Sequence, residues 1–277
     1  MNSALSSRLQ PSDRDLTAEI REHYNSFAWL YRRFWGDHIH HGLFLRGDES
    51  PEQAQEEMLE HCARLAGIQK GWRVLDVGCG HGGTCVYLAS HYACQITGIT
   101  VSDRQGELGR ENAVRAKVAV EFIVADAEQL GFPAAAFDAV WTMESSEHFA
   151  DKAAYLRKVA QALRPGGVLL MAAWTGSMVH PRVRRVAEEF LCPELLTATQ
   201  YSQLLRQAEL NILQQEDLTA KVIPTWEICL QRANAGKVLL KVLPPKAARF
   251  VRAMEGILEA YRAGDLHYTV LVAQQPT

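Results

Sequence analysis

The chain lacks any apolar run approaching the ~18 residues of a membrane-spanning helix, because charges break each long candidate. It lacks an apolar stretch near its start. Met1 to Asp15 mixes Ser, Arg and Asp, a pattern that points away from a signal peptide. A basic excess is missing too: 29 Lys and Arg face 32 Asp and Glu, for a formal net charge of −3. That balance speaks against a nucleic-acid or polyanion binder. The six cysteines, Cys62, Cys79, Cys85, Cys94, Cys192 and Cys229, form no C-x-x-C pair and none stands at zinc-finger spacing from a histidine pair. Reduced thiols in a cytoplasmic protein are therefore expected. Internal repeats and low-complexity linkers are also absent. What remains is ordinary globular composition, 48% hydrophobic and 22% charged over 277 residues. A chain of this length buries roughly three-quarters of its unfolded surface and needs neither disulfide nor metal to fold.

The hydrophobic pattern changes along the chain. Leu16 to Leu43 is dense in aromatics and histidines, and Pro51 to Leu65 reads as a helix with Met58, Leu59, Cys62 and Leu65 at three- and four-residue spacing. From Trp72 short β-branched runs alternate with helical stretches. Strands are expected at 73–77, 95–99, 120–124, 137–143 and 167–173, with helices at 84–91, 103–115 and 152–163. Pro165-Gly166-Gly167 stops the last of these helices. Beyond Trp174 the regularity lapses into amphipathic helices at 182–190, 201–208 and 247–262 and late strands at 212–218 and 266–273. Alternating strands and helices imply a doubly wound, mostly parallel sheet of seven strands, whose ligand crevice lies at the carboxyl ends of the strands. The expected organisation is a helical lid or extension over 1–66, an α/β core over 67–175, a helical insertion with one late strand over 176–265, and a final core strand over 266–277.

Gly78, Gly80 and Gly83 follow the first strand and open a helix, where missing Cβ atoms let backbone approach a ligand. They also fit the dinucleotide pattern G-x-G-x-x-G, so the glycines alone do not choose a cofactor. Two other positions do. Asp76 lies inside the strand end, where a buried carboxylate needs a cation or donors. The methionyl ammonium group of S-adenosylmethionine supplies one, whereas a pyrophosphate is repelled. A dinucleotide site also wants an acid at the tip of the second strand, and that strand ends Gly98-Ile99-Thr100-Val101-Ser102.

These motifs resemble those of class I S-adenosylmethionine-dependent methyltransferases across nearly the whole chain. Within that superfamily the chain is most similar to the gamma-tocopherol methyltransferase group and its N-methylating relatives. The match is carried by Trp35-Gly36-Asp37-His38-Ile39-His40-His41-Gly42, Asp76-Val77-Gly78-Cys79-Gly80, Gly98-Ile99-Thr100-Val101-Ser102 through Gln105, and Trp141 through Lys152. The resemblance implies that Asp76, Gly78, Cys79 and Gly80 line the methionine and ribose part of S-adenosylmethionine. By the same resemblance Thr100, Val101 and Gln105 hold the ribose, Asp126 and Ala127 meet the adenine, and Met143 and Glu144 stand beside the sulfonium. A helix-capping role is the plain alternative for Asp126.

Methyl transfer from a sulfonium is an in-line displacement in which positioning and exclusion of water supply most of the rate. What remains is deprotonation of the acceptor. His148, just past the fourth strand and flanked in sequence by Glu144 and Glu147, is the expected base, with either acid orienting the ring or raising its pKa. Glu144 is read as a second catalytic group, in contact with either cofactor or acceptor, and Glu147 as a helix-initiating acid near Asp151. His38, His40 and His41 invite a metal, but no carboxylate or cysteine keeps company with them at ligand spacing, and none is expected. Tyr24, Tyr31, Trp35 and His38 belong to the lid segment, which either staples onto the core or forms an aromatic wall against the acceptor. Trp226, Tyr261 and Leu191-Cys192-Pro193 supply the other wall.

The expected partner is a small-molecule methyl acceptor of aromatic or lipid-like character, with no nucleic acid and no stable membrane insertion, the protein acting as a monomer or homodimer. The stretch Lys241 to Arg252 is the candidate for grazing a membrane. Two alternatives stand beside this reading. A dinucleotide-dependent oxidoreductase is opposed by the missing acid at Thr100, and a non-catalytic S-adenosylmethionine-binding module by the intact motif residues.

Overall fold

Apolar runs bounded by turn residues assemble into one seven-stranded sheet, of order β3-β2-β1-β4-β5-β7-β6, in a computed structural model that describes residues 16–235 and 245–277. β1 (Arg73–Val77), β2 (Gln95–Thr100), β3 (Val120–Val124), β4 (Phe137–Met143) and β5 (Leu163–Gly176) run parallel. β7 (Leu266–Gln274) enters antiparallel between β5 and β6 (Asn211–Asp217). In β1 everything beyond Arg73 is buried, as in a strand covered on both faces. The edge strand β6 instead carries Gln214, Gln215, Glu216 and Asp217, polar groups that discourage pairing with another chain.

Nine helices among the described residues clothe the sheet: α1 (Leu16–Trp35), α2 (Pro51–Leu65), α3 (Gly83–Tyr92), α4 (Asp103–Ala116), α5 (Lys152–Ala162), α6 (Pro181–Glu189), α7 (Ala198–Gln207), α8 (Thr219–Ala235) and α9 (Pro245–Arg262). The two-residue period of the strands divides the core. Trp141, Leu170 and Val272 pack with Met58, Leu88 and Ile257 on one face, while Val140, Leu169 and Leu271 pack with Tyr155, Tyr201 and Leu205 on the other. After β3 the chain crosses back to lay β4 beside β1, so the order reverses between them. A ligand crevice opens at such a reversal, outside the strand ends at Val77 and Met143.

The doubly wound sheet agrees with the sequence reading, and three elements depart from it. α8 lies in a stretch where the sequence reading expects no helix, and it carries Pro224 in its interior. The helix runs through it because Val222, Trp226, Cys229 and Ala233, spaced four, three and four, are all buried. β5 begins at Leu163 rather than Gly167, since Leu163 pairs with Phe137 ahead of a register shift. α7 starts three residues early at Ala198, where Thr197 and Gln200 form a reciprocal cap. The Lys241 to Arg252 stretch falls largely outside the described residues. No helix among the described residues is long and apolar enough to cross a membrane.

Candidate active site

The crevice begins at the turn after β1. Gly78 has φ +82°, and a Cβ there would meet the Ser145 side chain at 2.2 Å, so only glycine lets the β1 and β4 ends approach this closely. Ser145 clasps the two ends by donating its hydroxyl to the Val77 carbonyl at 2.6 Å. Asp76, one residue earlier, is 2% exposed. Its carboxylate receives the Cys85 thiol at 3.1 Å, and burial pushes its pKa up to about 7 against that weak hydrogen bond. One thiol is a poor set of donors for a buried carboxylate, and a cation suits the place. His38, expected in the acceptor wall, lies here instead. It lines a side cavity with Asp76, Cys79, Gly80 and Gly83, because its ring sits against Gly83, where a Cβ would meet Nδ1 at 2.5 Å. Among the described residues that Nδ1 has no partner.

The main cleft encloses about 750 Å³ including its mouth. Gly78, Gly80, Thr100, Val101, Gln105, Asp126, Ala127 and Met143 all line it. At the tip of β2 the Thr100 hydroxyl donates to Gln105 Oε1 at 2.8 Å and accepts the Ser102 N–H at 3.2 Å. Thr100 thus orients the Gln105 amide, whose NH₂ has donors to give. Asp126 caps a turn, its Oδ1 receiving the Glu128 N–H at 2.8 Å, while Oδ2 receives the Thr17 hydroxyl at 3.2 Å. Capping and cleft lining therefore coexist in one residue. Thr17 belongs to α1, which lies across the cleft. Arg21 donates to the Val101 carbonyl at 3.2 Å, and Asn25 Oδ1 receives the Ser102 hydroxyl at 2.7 Å and the Arg104 N–H at 3.2 Å.

Behind the cleft lies a second chamber of about 470 Å³. Its walls are aromatic: Tyr31, Trp35, Trp174, Phe190 and Trp226, with Trp226 ring centroids 5.5 Å from Trp35, 5.8 Å from Phe190 and 6.2 Å from Trp174. Tyr24, Ile39, Glu144 and His148 line both spaces and so form their junction. His148 Nδ1 faces the Leu191 carbonyl at 3.3 Å, and Nε2 faces the Tyr24 hydroxyl at 2.9 Å. A carbonyl only accepts, which puts the ring proton on Nδ1 and leaves Nε2 as an acceptor aimed at the junction. Burial lowers the pKa to about 4.

This reverses the expectation for His148. The flanking acids turn away from the ring, and the hydrogen bond to the Leu191 carbonyl, which raises its pKa, is outweighed by burial. Glu144 is held at φ +51°, a left-handed turn that is strained for a non-glycine residue. The turn delivers its carboxylate to four donors: the His41 N–H at 2.7 Å, His41 Nδ1 at 2.8 Å, the Tyr268 hydroxyl at 2.8 Å and Trp174 Nε1 at 3.3 Å. Burial favours the neutral acid, but His41 and its hydrogen bonds outweigh it and keep the pKa below the usual carboxylate range. A carboxylate so fully engaged is no base, which corrects the catalytic role expected for Glu144. Glu147 also departs from expectation. Asp151 starts α5 by accepting the Ala154 N–H at 2.8 Å, while the Glu147 carboxyl turns inward to the chamber, where burial pushes its pKa up to about 7. Reading by sequence missed His41, Trp174 and Tyr268, the partners of Glu144. Of these, His41 alone carried a signal, its place in the histidine run.

A glycine turn, a buried carboxylate with one thiol for a donor and an acid-free second strand tip fit an α/β enzyme that binds a nucleoside bearing a cation, and they leave the dinucleotide reading without support. The profile of the methyltransferase domain family matches residues 75–171. The chain is 31% identical to 27-O-demethylrifamycin SV methyltransferase of Amycolatopsis mediterranei, over 93% of this chain and 97% of that protein. It is 29% identical to the chloroplastic tocopherol O-methyltransferase of Arabidopsis thaliana, over 96% of this chain and 84% of that one. The solved structure of the cyclase SpnF superposes with a TM-score of 0.83 at 27% identity, covering 94% of this chain and 96% of that one. The chain belongs to the class I S-adenosylmethionine-dependent methyltransferases, in the tocopherol methyltransferase-like group. It is an enzyme that uses S-adenosylmethionine and methylates a small molecule.

Proposed function

We propose that the aromatic chamber takes a flat, largely apolar acceptor and that a hydroxyl on its ring is methylated at the junction with the main cleft. The observation that carries this reading is His148 Nε2, neutral and hydrogen-bonded to Tyr24 at 2.9 Å, at the one place where the two spaces meet among the described cavities. The tocopherol and rifamycin relatives, whose names record an oxygen acceptor, support a hydroxyl over an amine. In this reading Asp76, Gly78, Cys79 and Gly80 hold the methionine half, Thr100, Val101 and Gln105 the ribose, and Asp126 and Ala127 the adenine, with Met143 beside the sulfur. S-adenosylmethionine supplies the electrophilic methyl group. The acceptor's hydroxyl gives its proton to the Tyr24 oxygen as the Tyr24 proton passes to His148 Nε2, the Leu191 carbonyl holds the tautomer that allows it, and α1 excludes water. Tyr31, Trp35 and Trp226 bind the acceptor rings. Six buried free thiols support action in a reducing compartment, of which the cytoplasm is one.

Methyl transfer screened by mass against phenols, quinols, sterols and amines tests the acceptor class. Products on hydroxyl-bearing rings are expected, and products on amines alone overturn it. His148→Ala should lower kcat by ~10²-fold with cofactor affinity unchanged. Because the ring is neutral above about 4, any limb of wild-type kcat near pH 7 should belong to the buried Glu147 or Asp76 carboxyl and persist in His148→Ala. Full kcat in His148→Ala removes the base.

A further inference from the structure

Glu147 has no part in the chemistry above, yet it faces the same chamber. It sits in the short 3₁₀ turn Ser146–His148 and is 2% exposed. One oxygen, Oε1, accepts the Trp174 N–H at 2.7 Å. The other, Oε2, has the Ser146 hydroxyl at a long 3.4 Å, and that hydroxyl also meets Tyr201 at 3.0 Å. A carboxylate accepts about four hydrogen bonds, so Glu147 is under-supplied where Glu144 is saturated. His40 lines the same chamber. Its Nδ1 faces the His41 carbonyl at 2.8 Å and therefore carries the proton, which leaves Nε2 an acceptor, buried and without a partner among the described residues.

Buried polar atoms are almost always satisfied, so two under-satisfied acceptors in one chamber call for a donor from outside the protein. Several of the chamber's own N–H and O–H groups are engaged elsewhere, the Tyr31 hydroxyl with His23 Nε2 at 3.0 Å among them. Trp174 Nε1 donates to Glu144, Trp226 Nε1 to His41, and the Tyr24 hydroxyl to His148.

We propose that Glu147, with His40 beside it in the chamber lining, receives a second hydroxyl of the methyl acceptor, so that the substrate class is a ring-bearing molecule with at least two hydroxyl groups. One hydroxyl gives its proton to His148 by way of Tyr24, and the other donates to the Glu147 carboxylate. An analogue without the second hydroxyl leaves a buried acceptor unpaired, and a site built around such a bond rejects it. The inference rests on the chamber being the acceptor site.

The test uses the full chain loaded with S-adenosylhomocysteine and titrated with a prenylated hydroquinone and with the phenol that differs from it by one missing hydroxyl. Wild type should bind the hydroquinone at least about tenfold tighter. Glu147→Leu should abolish that preference and His40→Phe weaken it, with affinity for S-adenosylhomocysteine unchanged in Glu147→Leu. In turnover, Glu147→Leu should raise KM for the hydroquinone and leave kcat for the phenol near wild type. Glu147→Gln keeps one acceptor oxygen and similar shape. It should retain part of the preference, and it serves as the test if the leucine variant does not fold. Equal binding of the two probes by wild type, or an undiminished preference in both Glu147 variants, overturns the second-hydroxyl site. Methylation of the phenol with equal affinity leaves the methyltransferase reading intact, whereas methylation of amines and of neither probe overturns the reading beneath it.

Discussion

Three buried acids meet three different fates, and the donors within reach decide each. Glu144 has four donors and is held ionised, Glu147 has a single short one, and Asp76 has a thiol. For Asp76 the consequence is a trade between stability and binding. Its carboxyl ionises near 3.8 in the ordinary case and near 7 when folded, so the folded chain holds a proton over that interval that the unfolded chain has lost. Stability therefore falls as pH rises from about 4 to about 7 and stays at the lower level above it. Asp76→Asn removes the charge that burial disfavours. At about pH 8 the ligand-free variant should melt higher than wild type while binding S-adenosylmethionine at least ~10-fold more weakly, about 1.4 kcal/mol. A lower Tm together with unchanged affinity by calorimetry would return Asp76 to a purely structural role.

At the scale of elements, α1 behaves as a strap with separable fastenings. Thr17 reaches Asp126, Arg21 reaches Val101, and Asn25 caps the start of α4 through Ser102 and Arg104. Thr17, Asp126 and Val101 line the main cleft, with Val101 and Asp126 in the loops after β2 and β3, while Asn25 holds the start of α4. Hydrogen exchange over Leu16–Trp35 should slow when S-adenosylhomocysteine is added. Asn25→Ala removes the acceptor shared by two donors, a loss of about 1 kcal/mol, and should speed cofactor release roughly fivefold by stopped flow. Unchanged exchange with and without ligand makes α1 ordinary packing. The same helix shows why an element's existence is easier to read than its use. Its aromatics at Tyr24 and Tyr31 face the chamber, but nothing local to the helix says that Asn25 caps a different one.

Across the molecule, the Glu144–His41 pair is where the parts meet. His41 precedes α2, Glu144 follows β4, Trp174 lies in β5 and Tyr268 in β7, while Trp226 of α8 donates to His41 Nε2 at 2.5 Å and the Tyr261 hydroxyl of α9 stands 3.4 Å from it. The Glu144 carboxylate takes hydrogen bonds from His41, Tyr268 and Trp174, and those to a charged group are worth about 1.5–3 kcal/mol each, so losing two costs about 3–6 kcal/mol. Glu144→Gln should lower Tm by about 6–12 °C, and the loss should be cooperative, with β7 and the segment before α2 losing exchange protection together. A Tm within two or so degrees of wild type, roughly 1 kcal/mol or less, would show that the node is dispensable.

The sequence by itself determined the doubly wound sheet, the glycine turn with Asp76 beneath it, and the absence of an acid at Thr100. Periodicity, turn chemistry and the cost of burying a carboxylate act over a few residues, so they are written locally. It also brought Glu144, Glu147 and His148 into view as one motif. Only the tertiary structure assigned their parts. A left-handed residue at 144 sends its side chain toward donors 30 to 124 residues away, the turn after it points 147 and 148 to different partners, and Leu191 sets the tautomer of His148 from 43 residues off. Likewise Pro224 disfavours a helix by its own geometry, and the buried face of α8 overrides it. Which atom a polar side chain meets depends on backbone direction and on elements distant in the chain, and neither is encoded in residue spacing.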